Sequence, residues 1–419
     1  MDASETLPSR HAESSGDAEP VRPVSTGWTA RFSLVWFGFW MAQLLPIQLL
    51  LPDTLDRVDP VHKVRDFGVL NGVAAMVALL TLPLCGALCD RTRTRFGRRR
   101  TWMACGLVVV ALGLVLTGLQ STPVGVTLAW LLVVAGVSAA TAGLTAAIAD
   151  QVPEQQRGTV SGAIYAPQAL GVVAGVAALS AVTLTDATAY LLLAAVLVLC
   201  AIPFVLRYRD SSAPVGRPVS ALSALTAIRF NPRSNPDFTW ALAGRTLVNL
   251  GNGFGTCYLL YFLTDDVHVA DPATALLILT AIYLVGMVLT TILGGLLSDR
   301  LARRRVFVAV AAVLQSIAGL LLAAFPTLGA AMVGAAVLGA GYGAYMSVDQ
   351  ALVTQVLPDA ASRAKDLGIM NMGSIVPQGL SPLIASVIIL ASGYPALYLA
   401  TGVATALGAV LVYRVRCVR

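Results

Sequence analysis

Long apolar runs separated by short polar segments dominate the chain from residue 32 onward. Twelve of these runs come close to the roughly twenty residues that cross a hydrocarbon core about 30 Å thick. Backbone groups find no partners in lipid, and continuous apolar runs favour helices over alternating strands, so each run predicts a transmembrane helix. The predicted limits are 32–52, 67–89, 101–120, 124–149, 158–183, 187–207, 238–263, 272–297, 305–325, 328–357, 364–391 and 394–413.

The polar segment GALCDRTRTRFGRRRTW (Gly86–Trp102) recurs in shorter form as GGLLSDRLARRRVF (Gly294–Phe307). Each copy lies between two apolar runs, and a second repeat, Pro-Gln-x-Leu, occurs at 167–170 and 377–380. Repeats at nearly the same offset, 209 residues for the first and 210 for the second, indicate two like-oriented halves. The sequence therefore predicts an all-α membrane protein with twelve transmembrane helices in two six-helix bundles. The residues matched in the longer repeat are Gly86, Asp90 and Arg91 with Gly295, Asp299 and Arg300.

Composition and charge placement agree with a membrane protein. The chain is 57% hydrophobic and 12% charged, whereas soluble domains carry roughly 25% charged residues. Of the 28 Lys and Arg residues, 24 fall in the tails and in the loops on one side. This asymmetry predicts a multi-pass protein of the cell membrane with both termini cytoplasmic, and it indicates affinity for anionic lipid. The net charge of +6 is a topology signal, and no nucleic-acid partner is expected.

The predicted organisation has five parts. Residues 1–27 are expected to form a disordered cytoplasmic tail, 28–207 the first bundle, 208–237 a cytoplasmic linker, 238–414 the second bundle and 415–419 a short tail. Within the linker, VSALSALTAIRF is compatible with a helix on the membrane surface or with a flexible connection.

No catalytic or metal-binding pattern accompanies these spans. The two lysines do not form a nucleotide-binding loop, and the sequence contains neither HExxH nor GxSxG. Cys85 and Cys89 lie one helical turn apart, but no third ligand is near, so they are expected to pack as small apolar residues. We therefore expect no enzyme activity, metal or cofactor, and any driving energy should come from an ion or solute gradient.

The duplicated loop also carries acidic residues that positive-inside topology does not require. Asp90 and Asp299 end their helices, where each could pair with an arginine across the interface between halves and hold one conformation closed. The alternative is that the loop only fixes topology. Charges in the next loop either complete the same network or are simply solvated. The gating candidates are Asp90, Arg91, Asp150, Arg157, Asp299 and Arg300.

The loop resembles the signature of the major facilitator superfamily. Its longer form, DRTRTRFGRRR, is similar to that of glycoside–pentoside–hexuronide cation symporters and sucrose-type disaccharide transporters, as is SVDQALVTQVLPDAASRAKDLGIMNMGSIVPQGLSP (Ser347–Pro382). The resemblance implies alternating access around a central cavity lined by helices 1, 4, 7 and 10. The second helix departs from melibiose-type permeases, because it carries Asn71 in place of acidic cation ligands. Sodium coupling is therefore not expected, which leaves a proton or no coupling ion.

Polar and aromatic residues share single faces on the helices expected to line the cavity. Amides suit sugar hydroxyls, and aromatic rings suit the face of a pyranose, although aromatic stripes also occur as packing or at membrane interfaces. The substrate-binding candidates are Trp40, Gln43, Gln168, Asn249, Asn252, Tyr342, Tyr345 and Gln378.

Arg245 and Asp349 are charged residues within predicted spans. A charge in a membrane core costs roughly 2.5–3.5 kcal/mol or more and is usually paired. Each lies nine residues from a boundary proline (Pro236 and Pro358), so both should sit at similar depth. We expect them to approach each other beneath the cavity and to act in coupling; the alternative is a snorkelling arginine and a wetted aspartate.

These features together predict a secondary active transporter that moves a sugar or glycoside with proton coupling. Its expected partners are a small solute, protons and the lipid bilayer, and a monomer is expected. Export of a hydrophobic drug or secondary metabolite is one alternative, since the spans are rich in Ala, Val, Leu and Gly. A non-transporting membrane sensor is the second alternative.

Overall fold

The computed structural model describes residues 23–92, 94–180, 185–210, 235–301, 304–356 and 363–415, with some side chains in 149–180, 292–304 and 350–371 excepted. Within these ranges the fold is all-α, and twelve helices follow one another as the hydropathy pattern predicts. Their bounds are α1 Thr26–Val58, α2 Lys63–Arg91, α3 Arg98–Gly118, α4 Pro123–Gln151, α5 Glu154–Ser180, α6 Asp186–Arg207, α7 Pro236–Cys257 with a short continuation Leu259–Asp265, α8 Pro272–Leu301, α9 Arg304–Ala324, α10 Leu328–Val356, α11 363–392 and α12 394–413.

Gly393 separates the last two helices. The helical stretch Arg363–Tyr413 is interrupted there by φ 80° and ψ 179°, a backbone region that essentially only glycine occupies. Pro395 follows two residues later and cannot continue a hydrogen-bonded helix from the preceding turn. The break falls between the predicted spans 364–391 and 394–413.

Short polar residues begin several helices. Thr122 accepts a hydrogen bond from the backbone of Gly125 at 3.1 Å, and Ser25 accepts one from Trp28 at 3.3 Å. Asp271, in the loop before α8, accepts one from the backbone of Thr274 at 3.1 Å. Hydrogen bonds from Thr274 lower the pKa of the Asp271 carboxyl. These caps satisfy amide groups that have no partner within their own helix.

The helices pack in two groups, α1–α6 and α7–α12, each formed from one half of the chain. Small residues set the closest approaches within the first group. A side chain at Gly136 would meet the Val110 backbone at 2.7 Å, so α3 and α4 touch through their main chains. The groups meet where α2 packs on α11 and α5 on α8. A side chain at Gly72 would meet Leu383 of α11 at 2.8 Å.

Nine helical segments in the described ranges are long and apolar enough to cross a membrane, one of them covering both α11 and α12. Helix α7 is not among them. It carries Arg245, Asn249 and Asn252 on the buried side of the second group. Helix α7 thus carries three buried polar side chains without being among the nine apolar segments.

Residues next to the expected tail and linker pack on the first group. Val24 donates its backbone N–H to Gln156 Oε1 at 2.8 Å, and Gln151 donates to the carbonyl of Arg209 at 2.6 Å. Tyr208 is buried against Phe204. The segment 208–210 thus packs with the first six helices, although the sequence assigned it to the linker. Residues 1–22 of the predicted tail, the linker helix and residues 416–419 lie outside the described ranges.

Successive helices run antiparallel, so the bundle has two ends. We call the end where α1 begins and α12 finishes the terminal end, and the opposite end the distal end. Loops 59–62 and 266–271 belong to the distal end, and the arginine-rich loop 92–97 belongs to the terminal end.

Candidate solute-binding site

An ion pair lies inside the second group of helices. Arg245 of α7 donates from Nη1 to Oδ2 of Asp349 of α10, and the two residues are 3% and 2% exposed. Nη2 of Arg245 donates to Ser374 of α11 at 3.3 Å, while its Nε has no partner within the described residues. The contact expected from the depth of the two charges is present. It joins three helices of one group.

Asn249, one turn above Arg245, is the centre of a hydrogen-bond network. Its Nδ2 donates to the Arg245 carbonyl at 2.8 Å and to the Tyr345 hydroxyl at 3.3 Å. Its Oδ1 accepts from Tyr342 at 3.2 Å and from Gln378 at 3.0 Å. Both tyrosines lie on α10, so the network links α7, α10 and α11 directly above the ion pair.

Gln378 is the exposed member of this network. Its Nε2 donates to the Tyr342 hydroxyl at 2.8 Å as well as to Asn249, while its side chain reaches the surface. Asn249 is fully buried and Tyr342 is 8% exposed. A solute that exchanges hydrogen bonds with Gln378 would therefore be connected through Asn249 to the backbone of Arg245.

Asn252 extends the polar face of α7 by another turn. Its Oδ1 accepts from the hydroxyl of Tyr283 on α8 at 3.2 Å. Sequence reasoning named neither Tyr283 nor Ser374. A tyrosine and a serine are ordinary in apolar helices, and the sequence carries no signal that α8 and α11 would bring them to α7.

The candidates in the first group lie apart from this network. Trp40 donates from Nε1 to the carbonyl of Ile164 of α5 at 3.1 Å and packs against Trp36 of its own helix. Its N–H therefore contributes to the packing of α1 against α5. Gln43 and Gln168 are half-buried, and neither has a hydrogen-bond partner among the residues that the structure describes.

The terminal-end charges meet at Arg99 of α3. Its Nη1 donates to Asp90 at 2.6 Å and its Nε donates to Asp150 at 2.9 Å. The sequence left open a pairing of Asp90 across the interface between halves or a network with Asp150. In the structure Arg99 bonds to both carboxylates, and all three residues belong to the first group. Arg91 is exposed. The side chains of Arg157, Asp299 and Arg300 lie outside the described residues.

Asp210 holds the start of α3 at the same end. Its two carboxylate oxygens accept from the backbone N–H groups of Arg99 at 2.9 Å and Arg100 at 3.2 Å. Gly97, at φ 98° and ψ 154°, lies against this carboxylate, and a side chain there would occupy its position. The chain leaving α6 thus fixes the helix that presents Arg99.

A cluster at the distal end joins the two groups and was missed by the sequence reasoning. Lys63 of α2 lies 3.0 Å from Asp56 of α1 and 2.7 Å from Asp265, which ends the continuation of α7. Asp265 also accepts from Tyr394 of α12 at 2.8 Å. Tyr261 donates to the carbonyl of Pro52 at 2.8 Å. We call the set Pro52, Asp56, Lys63, Tyr261, Asp265 and Tyr394 the distal seal.

Most of the chain matches the model of one known protein family. Residues 32–264 and 242–417 match the model of the Major Facilitator Superfamily. The chain belongs to the major facilitator superfamily. As a member of this superfamily it is a multi-pass membrane transporter and not an enzyme. A search of curated proteins found no match.

Two solved structures share the superfamily fold. A crystal structure of the nucleoside transporter NupG (D323A mutant) has a TM-score of 0.75 at 14% identity, covering 93% of this chain and 99% of that one. A transporter of the POT family, in complex with a thioalcohol-conjugated peptide, has a TM-score of 0.69 at 12% identity, covering 92% and 94%. At these identities the likeness establishes the fold.

Proposed function

We propose that this superfamily member is a secondary active transporter of a sugar or glycoside, working by alternating access with proton coupling. The observation that carries the proposal is the network of Asn249, Tyr342 and Gln378, which ends in an exposed amide and is anchored on a buried ion pair. Amide and phenol groups exchange directional hydrogen bonds, and a few such groups in an apolar setting fix the orientation of a polar ligand.

The proposed binding region lies between the two groups of helices. Gln378 supplies the contact from the second group. Gln43 and Gln168 supply amides from the first, and these have no hydrogen-bond partner among the described residues. Trp40 offers an indole ring beside Gln43, with its N–H already engaged by α5. A hydroxylated solute held between both groups would contact them differently in each access state, which is the requirement for a ligand to drive a conformational equilibrium.

Proton coupling is assigned to Asp349. Protonation of this carboxyl would remove the charge that holds Arg245, and the guanidinium would then be free to find other partners. Arg245 already touches Ser374, and its backbone carbonyl accepts from Asn249. A change at the ion pair is thereby connected to the exposed amide of Gln378.

We propose that both termini are cytoplasmic in the cell membrane, so that the distal seal closes the extracytoplasmic side. The contacts of the seal that cross between the groups join α1 and α2 to the continuation of α7, and Tyr394 of α12 holds Asp265 within the second group. The division into halves at 28–207 and 238–414 gives the two bodies that would rock about the site. Each half contributes to one cavity, so a monomer is the proposed working unit.

Counterflow into proteoliposomes tests the proposal. The panel is radiolabelled mono- and disaccharides, nucleosides and a lipophilic cation, and we expect saturable exchange of a sugar or glycoside that is faster at acidic external pH. Nucleosides are included because NupG, which shares the fold, is a nucleoside transporter and because a nucleoside also presents sugar hydroxyls. Exchange of the lipophilic cation alone would replace this function with export of hydrophobic compounds.

Gln378→Leu provides the residue-level arm of this test. Loss of one hydrogen bond to solute costs about 1 kcal/mol, so the apparent affinity should fall about fivefold. Ile375→Ala is the matched control, because Ile375 is 61% exposed on the same helix, about one turn away. Equal affinity in both variants would show that the solute does not contact Gln378.

A further inference from the structure

A furrow opens on the outer surface of the first group between α3 and α4. It encloses about 410 Å³ and is lined by Thr92, Thr101, Trp102, Cys105, Gly106, Val109, Ala135, Gly136 and Ala139. We call this set the α3–α4 furrow. Its volume is within the range of about 300–1,000 Å³ that small-molecule sites occupy. The proposed solute network lies in the other half of the protein, so this furrow is a separate feature.

The furrow faces the lipid. Exposed residues of α3 recur at helical spacing as Cys105, Val108, Leu112 and Leu116. On α4 the exposed Leu128 and Leu132 are continued along the same face by Ala135 and Ala139. Along α4 the large side chains give way to Ala135, Gly136 and Ala139 toward the terminal end, and on α3 the small residues Cys105 and Gly106 lie between Val109 and Trp102. Because these side chains are small, the α3–α4 furrow forms on the membrane-facing surface and has apolar walls.

The polar groups of the wall are already satisfied. Trp102 donates from Nε1 to the Thr92 hydroxyl at 2.7 Å, and Thr101 donates to the carbonyl of Gly97 at 2.7 Å. A tryptophan with its N–H turned to a polar loop is typical of the membrane–water interface. The furrow therefore begins near the headgroup level and continues into the hydrocarbon region.

Uncompensated positive charge lies at the mouth of the furrow. Arg91 and Arg100 directly precede the wall residues Thr92 and Thr101, and Arg95 lies in the loop between them. Within the described ranges the nearby carboxylates have other partners, and Asp210 accepts hydrogen bonds from the backbone N–H groups of Arg99 and Arg100. Asp90 pairs with Arg99, and Asp150 pairs with Arg99 and Arg98. Arg91, Arg95 and Arg100 have no carboxylate within ion-pairing distance there.

We propose that the α3–α4 furrow binds one anionic phospholipid, with an acyl chain in the furrow and its phosphate headgroup at Arg91, Arg95 and Arg100. The apolar walls account for the chain. The three guanidiniums, which have no carboxylate within ion-pairing distance among the described residues, account for the negative headgroup, since basic residues at this level attract anionic lipid. Arginine suits a phosphate because its planar group can donate two parallel hydrogen bonds.

Cys105 reports occupancy of the furrow directly. It is an exposed cysteine in the wall, so a bound acyl chain should block its alkylation. The purified full-length protein is treated with N-ethylmaleimide in detergent containing phosphatidylglycerol or phosphatidylcholine with the same acyl chains, and modification is followed by peptide mass spectrometry. We expect phosphatidylglycerol to slow labelling of Cys105 and phosphatidylcholine to leave it nearly unchanged.

Two sets of variants separate specific binding from general lipid contact. Arg95→Gln and Arg100→Gln should each raise the concentration of phosphatidylglycerol needed for protection, by about fivefold per charge removed, whereas Arg65→Gln at the distal end should not. Cys105→Phe should fill the furrow and abolish the phosphatidylglycerol adduct in native mass spectra. Val108→Phe, on the same exposed face but outside the furrow, should retain it.

Three results would overturn the proposal. Equal protection by both lipids would mean that the surface is covered by bulk lipid without headgroup selection. Protection that rises with protein concentration in the absence of lipid would make a second copy of the chain the occupant. Unprotected Cys105 at saturating phosphatidylglycerol would leave the furrow without a lipid.

Discussion

The buried ion pair is the residue-scale feature with the sharpest consequence for stability. Replacing Asp349 with Asn leaves Arg245 charged and buried, and loss of one partner from a buried pair costs about 3–5 kcal/mol. We therefore expect D349N to lower the unfolding temperature of the purified protein markedly in a thermal-shift assay. Removing both charges together, as Arg245→Met with Asp349→Leu, should restore most of that loss.

Arg65→Gln is the control for this prediction. Arg65 pairs at 2.8 Å with its neighbour Asp66, and its side chain is 52% exposed, so its loss should change stability by less than about 1 kcal/mol. An unfolding temperature of D349N equal to that of R65Q would contradict a stabilising role for the buried pair.

At the residue scale the sequence could predict a contact when the cost of burying charge required one. Arg245 and Asp349 lay well inside their apolar spans, at similar distances from boundary prolines, so their pairing could be predicted. The choice of Arg99 as the shared partner of Asp90 and Asp150 could not, because Arg98, Arg99 and Arg100 are chemically equivalent. The helical phase of α3 decides which of the three is buried.

At the element scale, the start of α3 depends on Gly97 and Asp210. Gly97→Ala would put a side chain into a backbone region that is essentially restricted to glycine and into the space of the Asp210 carboxylate. Asp210→Ala removes only the cap, at a cost of about 1 kcal/mol. We expect G97A to destabilise the protein more than D210A does, measured by thermal unfolding in the same detergent.

Gly86→Ala is the control for this pair, since Gly86 lies in α2 and a side chain there would meet no atom within 4 Å. It should be neutral or slightly stabilising, because alanine favours a helix more than glycine does. A G97A protein as stable as the G86A protein would show that the first turn of α3 rearranges without cost.

The sequence predicted every helix because span length and continuous apolarity are set by the bilayer, which acts on each span separately. The break at Gly393 was placed correctly since Gly393 and Pro395 interrupt an otherwise continuous apolar run. The packing of residues 208–210 on the first group was missed. A short polar segment after a helix looks the same whether it caps a neighbouring helix or begins a linker.

At the scale of the whole molecule, the distal seal should bias the protein toward the state that is closed at that end. Lys63→Gln or Asp265→Asn removes the ion pair that crosses between the groups, so we expect the open population to rise. Spin labels at Val61 and His268, both in exposed distal loops, should report longer distances in either variant by pulsed electron resonance.

Asp66→Asn is suited as the comparison, because its partner Arg65 lies on the same helix and the pair spans no interface. Its distance distribution should match that of the unsubstituted protein. If K63Q and D265N also match it, the seal does not set the balance between access states.

The distal seal could not be predicted from the sequence, because Lys63 and Asp265 are 202 residues apart and belong to different halves. The repeat establishes that the halves are alike, but it does not show how their distal ends face each other. The superfamily fold was predictable from one repeated loop, whereas the contacts between halves arise only when the two groups are placed side by side.

The hydrogen bonds between Asp210 and the start of α3 determine where the polypeptide is best divided into two fragments. A gene cut after codon 210 would leave the first fragment with the carboxylate that closes its third helix. A cut after codon 207, where the sixth helix ends, would transfer that residue to the other fragment. Coexpressed halves should therefore reassemble into a working carrier more readily from the later cut.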